Sequence, residues 1–162
     1  MSATVYLIPT VLDPAGLQSL PPLVITAVQQ CEVLFAENIR TARRFLKSLV
    51  PDIVIDRFEW HAIHEAEAAQ QENFKKALRE GRTTGIISEA GCPGIADPGQ
   101  LLVETAQQMG AVLKPVTGPS SILLALMASG MNGQQFEFRG YLPIGAPERI
   151  RKIKEMETDS LK

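Results

Sequence analysis

The sequence predicts an α/β protein with a mostly parallel, doubly wound sheet. Two features carry that prediction. Short apolar runs alternate with helical patterns along the chain, and such alternation argues βα units rather than hairpins. One run, Thr84-Gly85-Ile86-Ile87-Ser88, is continuously apolar up to its last residue and opens into a loop holding Gly91, Pro93, Gly94, Pro98 and Gly99. A buried parallel strand has that form, and ligands of open α/β sheets sit beyond the carboxyl ends of the strands.

Taken in order, Thr4–Ile8 is the first strand, closed by Pro9, and residues 10–20 are a loop. Pro21-Pro22 precede a helix over Leu23–Gln30. Val33–Ala36 is the second strand, ending at Glu37-Asn38, and Thr41–Leu49 is helical with Phe45, Leu46 and Leu49 on its apolar side. Ile53–Ile55 reads as a third strand, followed by the polar stretch Glu59–His64. A long helix over Glu65–Glu80 stops at Gly81. After the central strand, Asp97 is expected as N-cap and Pro98 as the first residue of a helix running to Met109. Val112–Val116 is a further strand, Ile122–Ser129 an apolar helix, Phe136–Leu142 another strand, and Pro147 opens a charged helix. Residues 1–117 form the expected N-terminal α/β domain, and 118–162 the beginning of an incomplete C-terminal one.

At 162 residues there is room for one real core, and no apolar run reaches the roughly 18 residues of a membrane span. The start MSATVYLIPT lacks the basic-then-apolar pattern of a signal peptide. A net charge of −2 makes any basic surface local. Cys31 and Cys92 match no metal spacing and read as reduced thiols of a cytoplasmic protein. His61 and His64, with Glu65 and Glu67, lack the spacing of a strong ligand set, so no metal is expected. Ser88 is flanked by Ile and Ala rather than by the glycines of a nucleophile elbow.

Two further places draw attention. In Thr117-Gly118-Pro119-Ser120-Ser121 a strand turns into a helix whose serines can cap it and whose free N–H groups suit a carboxylate. Arg40, Arg43, Arg44 and Lys47 recur at i, i+3, i+4 and i+7 and so share a helix face. That face is either a solvated flank or a phosphate-contacting surface.

Five stretches in order resemble the tetrapyrrole (corrin/porphyrin) methylase family, in its branch of small-subunit ribosomal RNA cytidine 2′-O-methyltransferases. YLIPT (Tyr6–Thr10) resembles the first strand and loop, and FAENIR (Phe35–Arg40) the A-E-D-T-R signature. SEAGCPGIADPG (Ser88–Gly99) resembles S-D-A-G-T-P-x-I-x-D-P-G and is the most specific. PVTGPSSILLALMASG (Pro115–Gly130) and FRGYLP (Phe138–Pro143) complete the set. Asn38-Ile39 stands in place of Asp-Thr, Glu89 in place of Asp, and Cys92 in place of Thr; the first loop lacks the usual Gly-Asn pair.

The resemblance implies S-adenosylmethionine as methyl donor, with a homodimer as the usual assembly and RNA as partner. It places the donor against Pro9 and Thr10, the turn Ser88, Glu89, Ala90 and Gly91, and the turn Gly118, Pro119, Ser120 and Ser121. A ribose hydroxyl needs its proton removed, and Glu37 and Glu89 are the candidate bases, with loop-capping carboxylates as the alternative. Arg40, Arg43, Arg44 and Lys47 are the candidate RNA contacts. Alternatives to an RNA methylase are a methylase of a tetrapyrrole or other small molecule, and a catalytically silent module on the same fold.

Overall fold

A computed structural model describes residues 2–64 and 67–160. By its internal contacts the chain separates into two compact units, Met1–Gly130 and Met131–Lys162.

The first unit is built on five parallel strands: β1 (Thr4–Ile8), β2 (Val33–Ala36), β3 (Glu59–Ala62), β4 (Thr84–Ile87) and β5 (Val112–Pro115). Their order across the sheet is β3-β2-β4-β1-β5, so the Thr84 strand lies at the centre, as its apolar run implies. Thr84 stands opposite Val5 on one side and Val33 on the other.

Side chains alternate across the sheet and feed two apolar layers. Ile8, Leu34, Ala36 and Ile87 face α1 (Leu23–Gln30) and α2 (Ile39–Leu49), which supply Val24, Ala27, Val28, Ala42, Phe45 and Leu46. On the opposite face, Val5, Val33, Phe35 and Ile86 meet α3 (Glu67–Arg79) and α4 (Gly99–Gln108) through Phe74, Ala77, Leu78, Leu102 and Ala106. Gly85 makes the first layer possible. A Cβ there would lie 2.7 Å from Leu34 Cδ2, 2.8 Å from Ile8 Cδ1 and 2.9 Å from Cys31 Sγ. Burial in that layer pushes the Cys31 thiol up to about 12.

Three sequence expectations need correction. Ile53–Ile55 is not a strand: Ile55–Arg57 is a 3-10 turn, and Ile53 and Ile55 are buried as anchors under α2. The third strand is instead the polar stretch Glu59–Ala62. As an edge strand it needs no continuous apolar run. Trp60 turns to one layer, and His61 stacks on Phe35 at 4.8 Å on the other. Second, Phe136–Leu142 forms no strand, and Phe136, Phe138, Tyr141 and Leu142 are exposed. Third, Pro98 rather than Asp97 occupies the N-cap position of α4, and Gly99 is its first residue. Asp97 still serves that helix end, because its Oδ1 accepts from Gly99 N–H at 2.9 Å and from Gly94 N–H at 2.8 Å.

The first unit ends with α5 (Ser121–Ser129), an apolar helix with Leu123, Leu124 and Met127 exposed. The second unit holds α6 (Ala146–Ser160), within which Lys152 pairs with Glu155; Arg139 pairs with Glu137 and Asp159. Among the described residues no helix is long and apolar enough to cross a membrane. The predicted start of the long helix at Glu65 lies outside the described residues.

Candidate functional site

Three adjacent strands, β4, β1 and β5, release their loops at one edge of the sheet, and those loops are tied together. Gly91 is the knot. Its carbonyl accepts from Thr10 N–H at 2.9 Å and from the Ser88 hydroxyl at 2.8 Å, and its φ of +74° is one glycine adopts without penalty. The Cys92 thiol reaches the Pro119 carbonyl at 3.5 Å, so the β4 loop also holds the β5 loop. Gly118 packs flat on Pro9, where a Cβ would fall 2.1 Å from the proline Cβ.

The residues expected to hold the donor are therefore neighbours: Pro9, Thr10, Ser88 and Gly91 are buried, Gly118, Pro119 and Ser120 are half-buried, and Glu89, Ala90 and Ser121 are exposed. These glycines answer to the fold itself. Gly91 and Gly118 are required by the protein's own loop contacts, since a Cβ on Gly91 would meet Pro119 O at 3.2 Å and Leu12 Cδ2 at 3.3 Å.

Two features in this cluster fit a polar, partly anionic ligand. Thr10 is 3 % exposed, and its Oγ1 is buried without a hydrogen-bond partner among the described residues. A buried orphan hydroxyl costs stability unless something outside the chain meets it. Beside it, α5 starts with Ser120 as N-cap, its hydroxyl accepting from Leu123 N–H at 3.5 Å, and first-turn N–H groups there have no partner within the helix.

A second place adjoins the first. A crevice opens beyond the carboxyl ends of the neighbouring strands β2 and β3. It measures about 320 Å³ and is lined by Glu37, Asn38, Ile39, Arg40, Ala62 and His64. Glu37 joins this crevice to the β4 loop: Oε2 accepts from Glu89 N–H at 2.9 Å, and Oε1 lies 3.5 Å from His64 Nε2. The two carboxylates singled out from sequence are thus brought together, but through one side chain and one backbone amide. The Glu89 carboxylate instead receives a long 3.4 Å bond from the Thr41 hydroxyl. Asn38, which stands where the signature has Asp, caps α2 by accepting from Thr41 N–H at 3.1 Å.

Asp97 completes the electrostatics of the loop. Burial holds its carboxyl above the ordinary range and the Glu37 charge adds to that, while the N–H groups of Gly94 and Gly99 and His64 pull it back. Ala96 beside it has φ +57°, a left-handed conformation uncommon outside glycine, in the loop that shapes this region.

The basic stripe divides. Arg43 pairs with Asp56 at 2.5 Å and lies over the Trp60 ring at 5.9 Å, and Lys47 donates to the Ile53 carbonyl at 2.7 Å. Arg40 and Arg44 are exposed and have no ion pair among the described residues, and Arg40 lines the crevice. Sequence reasoning missed His64 as a site residue by weighing it only as a metal ligand. Reading Glu59–Ala62 as a strand would have put His64 just beyond a strand end, where site residues collect.

The model of the Tetrapyrrole (Corrin/Porphyrin) Methylases matches residues 12–156. The protein named Ribosomal RNA small subunit methyltransferase I of Halalkalibacterium halodurans is 30% identical over 152 residues, 94% of this chain and 50% of that one. The protein of the same name from Xylella fastidiosa is 32% identical over 153 residues, 94% of this chain and 54% of that one. This chain spans about half the length of the curated relatives it matches. Among solved structures, uroporphyrin-III-C-methyltransferase from Thermus thermophilus is similar in fold, with a TM-score of 0.56 at 19% identity over 82% of this chain and 55% of that one. On the extent of the family match, the chain belongs to the tetrapyrrole (corrin/porphyrin) methylase family.

Proposed function

We propose that this protein takes part in S-adenosylmethionine-dependent methylation of a ribose 2′-hydroxyl in small-subunit ribosomal RNA. The observation that carries the reading is the cluster of Pro9–Thr10, Ser88–Gly91 and Gly118–Ser121 at the carboxyl ends of three adjacent strands, with the unpartnered Thr10 hydroxyl buried in it. The RNA assignment draws on the names of the relatives.

When bound, the donor supplies an electrophilic methyl on sulfur. Everything else falls to the chain. Thr10 and the first turn of α5 offer hydrogen bonds to a polar, carboxylate-bearing ligand. Arg40 and Arg44 offer charge to phosphates, and Glu37 and Glu89 stand at the boundary between the loop cluster and the crevice. Holding donor and acceptor in line is the main catalytic contribution of such a site. In this reading residues 118–162 belong with a second domain, and the working form is a homodimer in the cytoplasm.

Titration calorimetry with S-adenosylmethionine, followed by transfer of labelled methyl to small-subunit ribosomal RNA, tests the proposal. Binding and label in ribose 2′-positions are expected. Absence of donor binding would overturn it. Label in a tetrapyrrole but not in RNA would reassign the acceptor.

A further inference from the structure

Several groups able to take a proton lie in the crevice beyond β2 and β3 or in the β4 loop beside it, and most are engaged by protein neighbours. Glu37 has one oxygen on Glu89 N–H and the other toward His64. Asp97 Oδ1 holds the amides of Gly94 and Gly99, and the Ser88 hydroxyl donates to Gly91 O. The Glu89 carboxylate faces the Thr41 hydroxyl. His64 is different. Its side chain is 58% exposed, its Nε2 lies 3.5 Å from Glu37 Oε1, and Nδ1 meets no partner among the described residues.

An imidazole with one nitrogen against a carboxylate keeps its proton on that side and presents a lone pair on the other. The carboxylate also stabilises the imidazolium that forms when a proton arrives. Charges facing this ring come from Glu37 at the end of β2, Arg40 on α2 and Asp97 in the loop before α4.

We propose that His64 accepts the proton of the hydroxyl to be methylated, that Glu37 is the positioning residue holding its tautomer, and that Arg40 receives a phosphate of the same nucleotide. The acceptor is then a phosphodiester-linked ribose seated in the crevice beyond β2 and β3. As the O–H bond breaks, the proton passes to Nδ1 and the electron pair stays on oxygen. The oxygen forms its bond to the methyl carbon as that carbon's bond to sulfur breaks, with the pair left on sulfur. This inference rests on the methyltransferase reading above and narrows its base from two carboxylates to one imidazole.

Nitrogen-15 correlation spectra of the whole 162-residue protein read the tautomer directly. The proton of neutral His64 is expected on Nε2, and Glu37→Ala is expected to redistribute it. In single-turnover methylation of small-subunit ribosomal RNA, His64→Ala should lower the rate by about 100-fold or more. Donor and RNA affinities should stay within about threefold, and added imidazole should restore part of the rate. His64→Asn gives a second variant at the same exposed position. A wild-type rate in either variant, or a proton on Nδ1 in the unmodified protein, overturns the assignment. An unmodified protein that binds no donor and methylates no RNA overturns the parent reading instead.

Discussion

Two threonines show how the same local defect can have two meanings. Thr84 and Thr10 each bury a hydroxyl with no partner among the described residues. Thr84 is fully buried in the central strand, with Val5 and Val33 opposite it across the ladders, and no loop cluster surrounds it. Thr10 lies where three loops converge, hydrogen-bonded through its amide to Gly91. Replacing an unsatisfied buried hydroxyl by a methyl of the same shape removes a desolvation penalty. Thr84→Val is therefore expected to raise unfolding free energy by about 1 kcal/mol, measured by urea denaturation. Thr10→Val should raise the stability of the free protein by a similar amount yet weaken donor binding about fivefold to tenfold, as one lost hydrogen bond would. Equal donor affinity in Thr10→Val and the unmodified protein would remove that hydroxyl from the site. The pair of variants also avoids a difficulty with Gly118. A side chain there would collide with Pro9 and disturb the loops whether or not a ligand binds.

At the scale of elements, α2 links fold and candidate site. Its start is fixed by Asn38, its apolar side by Ala42, Phe45 and Leu46, and its basic side by four residues of which two are already engaged. Arg40→Ala with Arg44→Ala should flatten the dependence of log RNA affinity on log salt by about 1.5 units if both meet phosphates. Arg43→Ala should leave that slope nearly unchanged, because its charge already faces Asp56. An identical slope in the Arg40/Arg44 double variant would detach this helix from RNA. Most elements were legible from sequence because their apolar periods and stops agree: Thr4–Ile8, Leu23–Gln30 and Val33–Ala36 stand where the pattern puts them. The failures share a cause. Ile53 and Ile55 are apolar because they plug a layer from a turn, whereas Glu59–Ala62 is a strand because of the neighbour it pairs with. Phe136–Leu142 has strand-like composition, yet it forms no strand and has no ladder partner among the described residues. Composition reports burial and backbone preference; pairing is a tertiary fact. The same limit hid His64, whose role depends on a carboxylate 27 positions away in the chain.

Across the whole molecule, two carboxylates far apart in the sheet give stability opposite dependences on pH. Glu59, at the start of edge strand β3, is held below the ordinary range chiefly by its hydrogen bond to Arg82, then by His61. Asp97, beyond the end of central strand β4, is held above its ordinary 3.8 chiefly by burial. For Glu59 the folded state binds the proton less tightly than the unfolded state does. Its contribution is present above the ordinary value of 4.5 and is lost as pH falls through the folded value. For Asp97 the folded state binds the proton more tightly, so stability falls as pH rises from 3.8 through the folded value and stays lower above it. Asp97→Asn keeps an oxygen for the amides of Gly94 and Gly99 while removing the charge. It should match or exceed the unmodified protein in stability at pH 7, and that advantage should vanish on acidification below 3.8. Glu59→Gln should show the reverse sign: less stable at neutral pH, because Arg82 loses its charged partner, and converging with the unmodified protein in acid. Urea midpoints collected from pH 3 to pH 7 separate the two. A neutral-pH loss of stability in Asp97→Asn would mean that the ionised carboxylate, rather than its geometry, holds the loop before α4. The crevice would then depend on that charge as well as on Glu37.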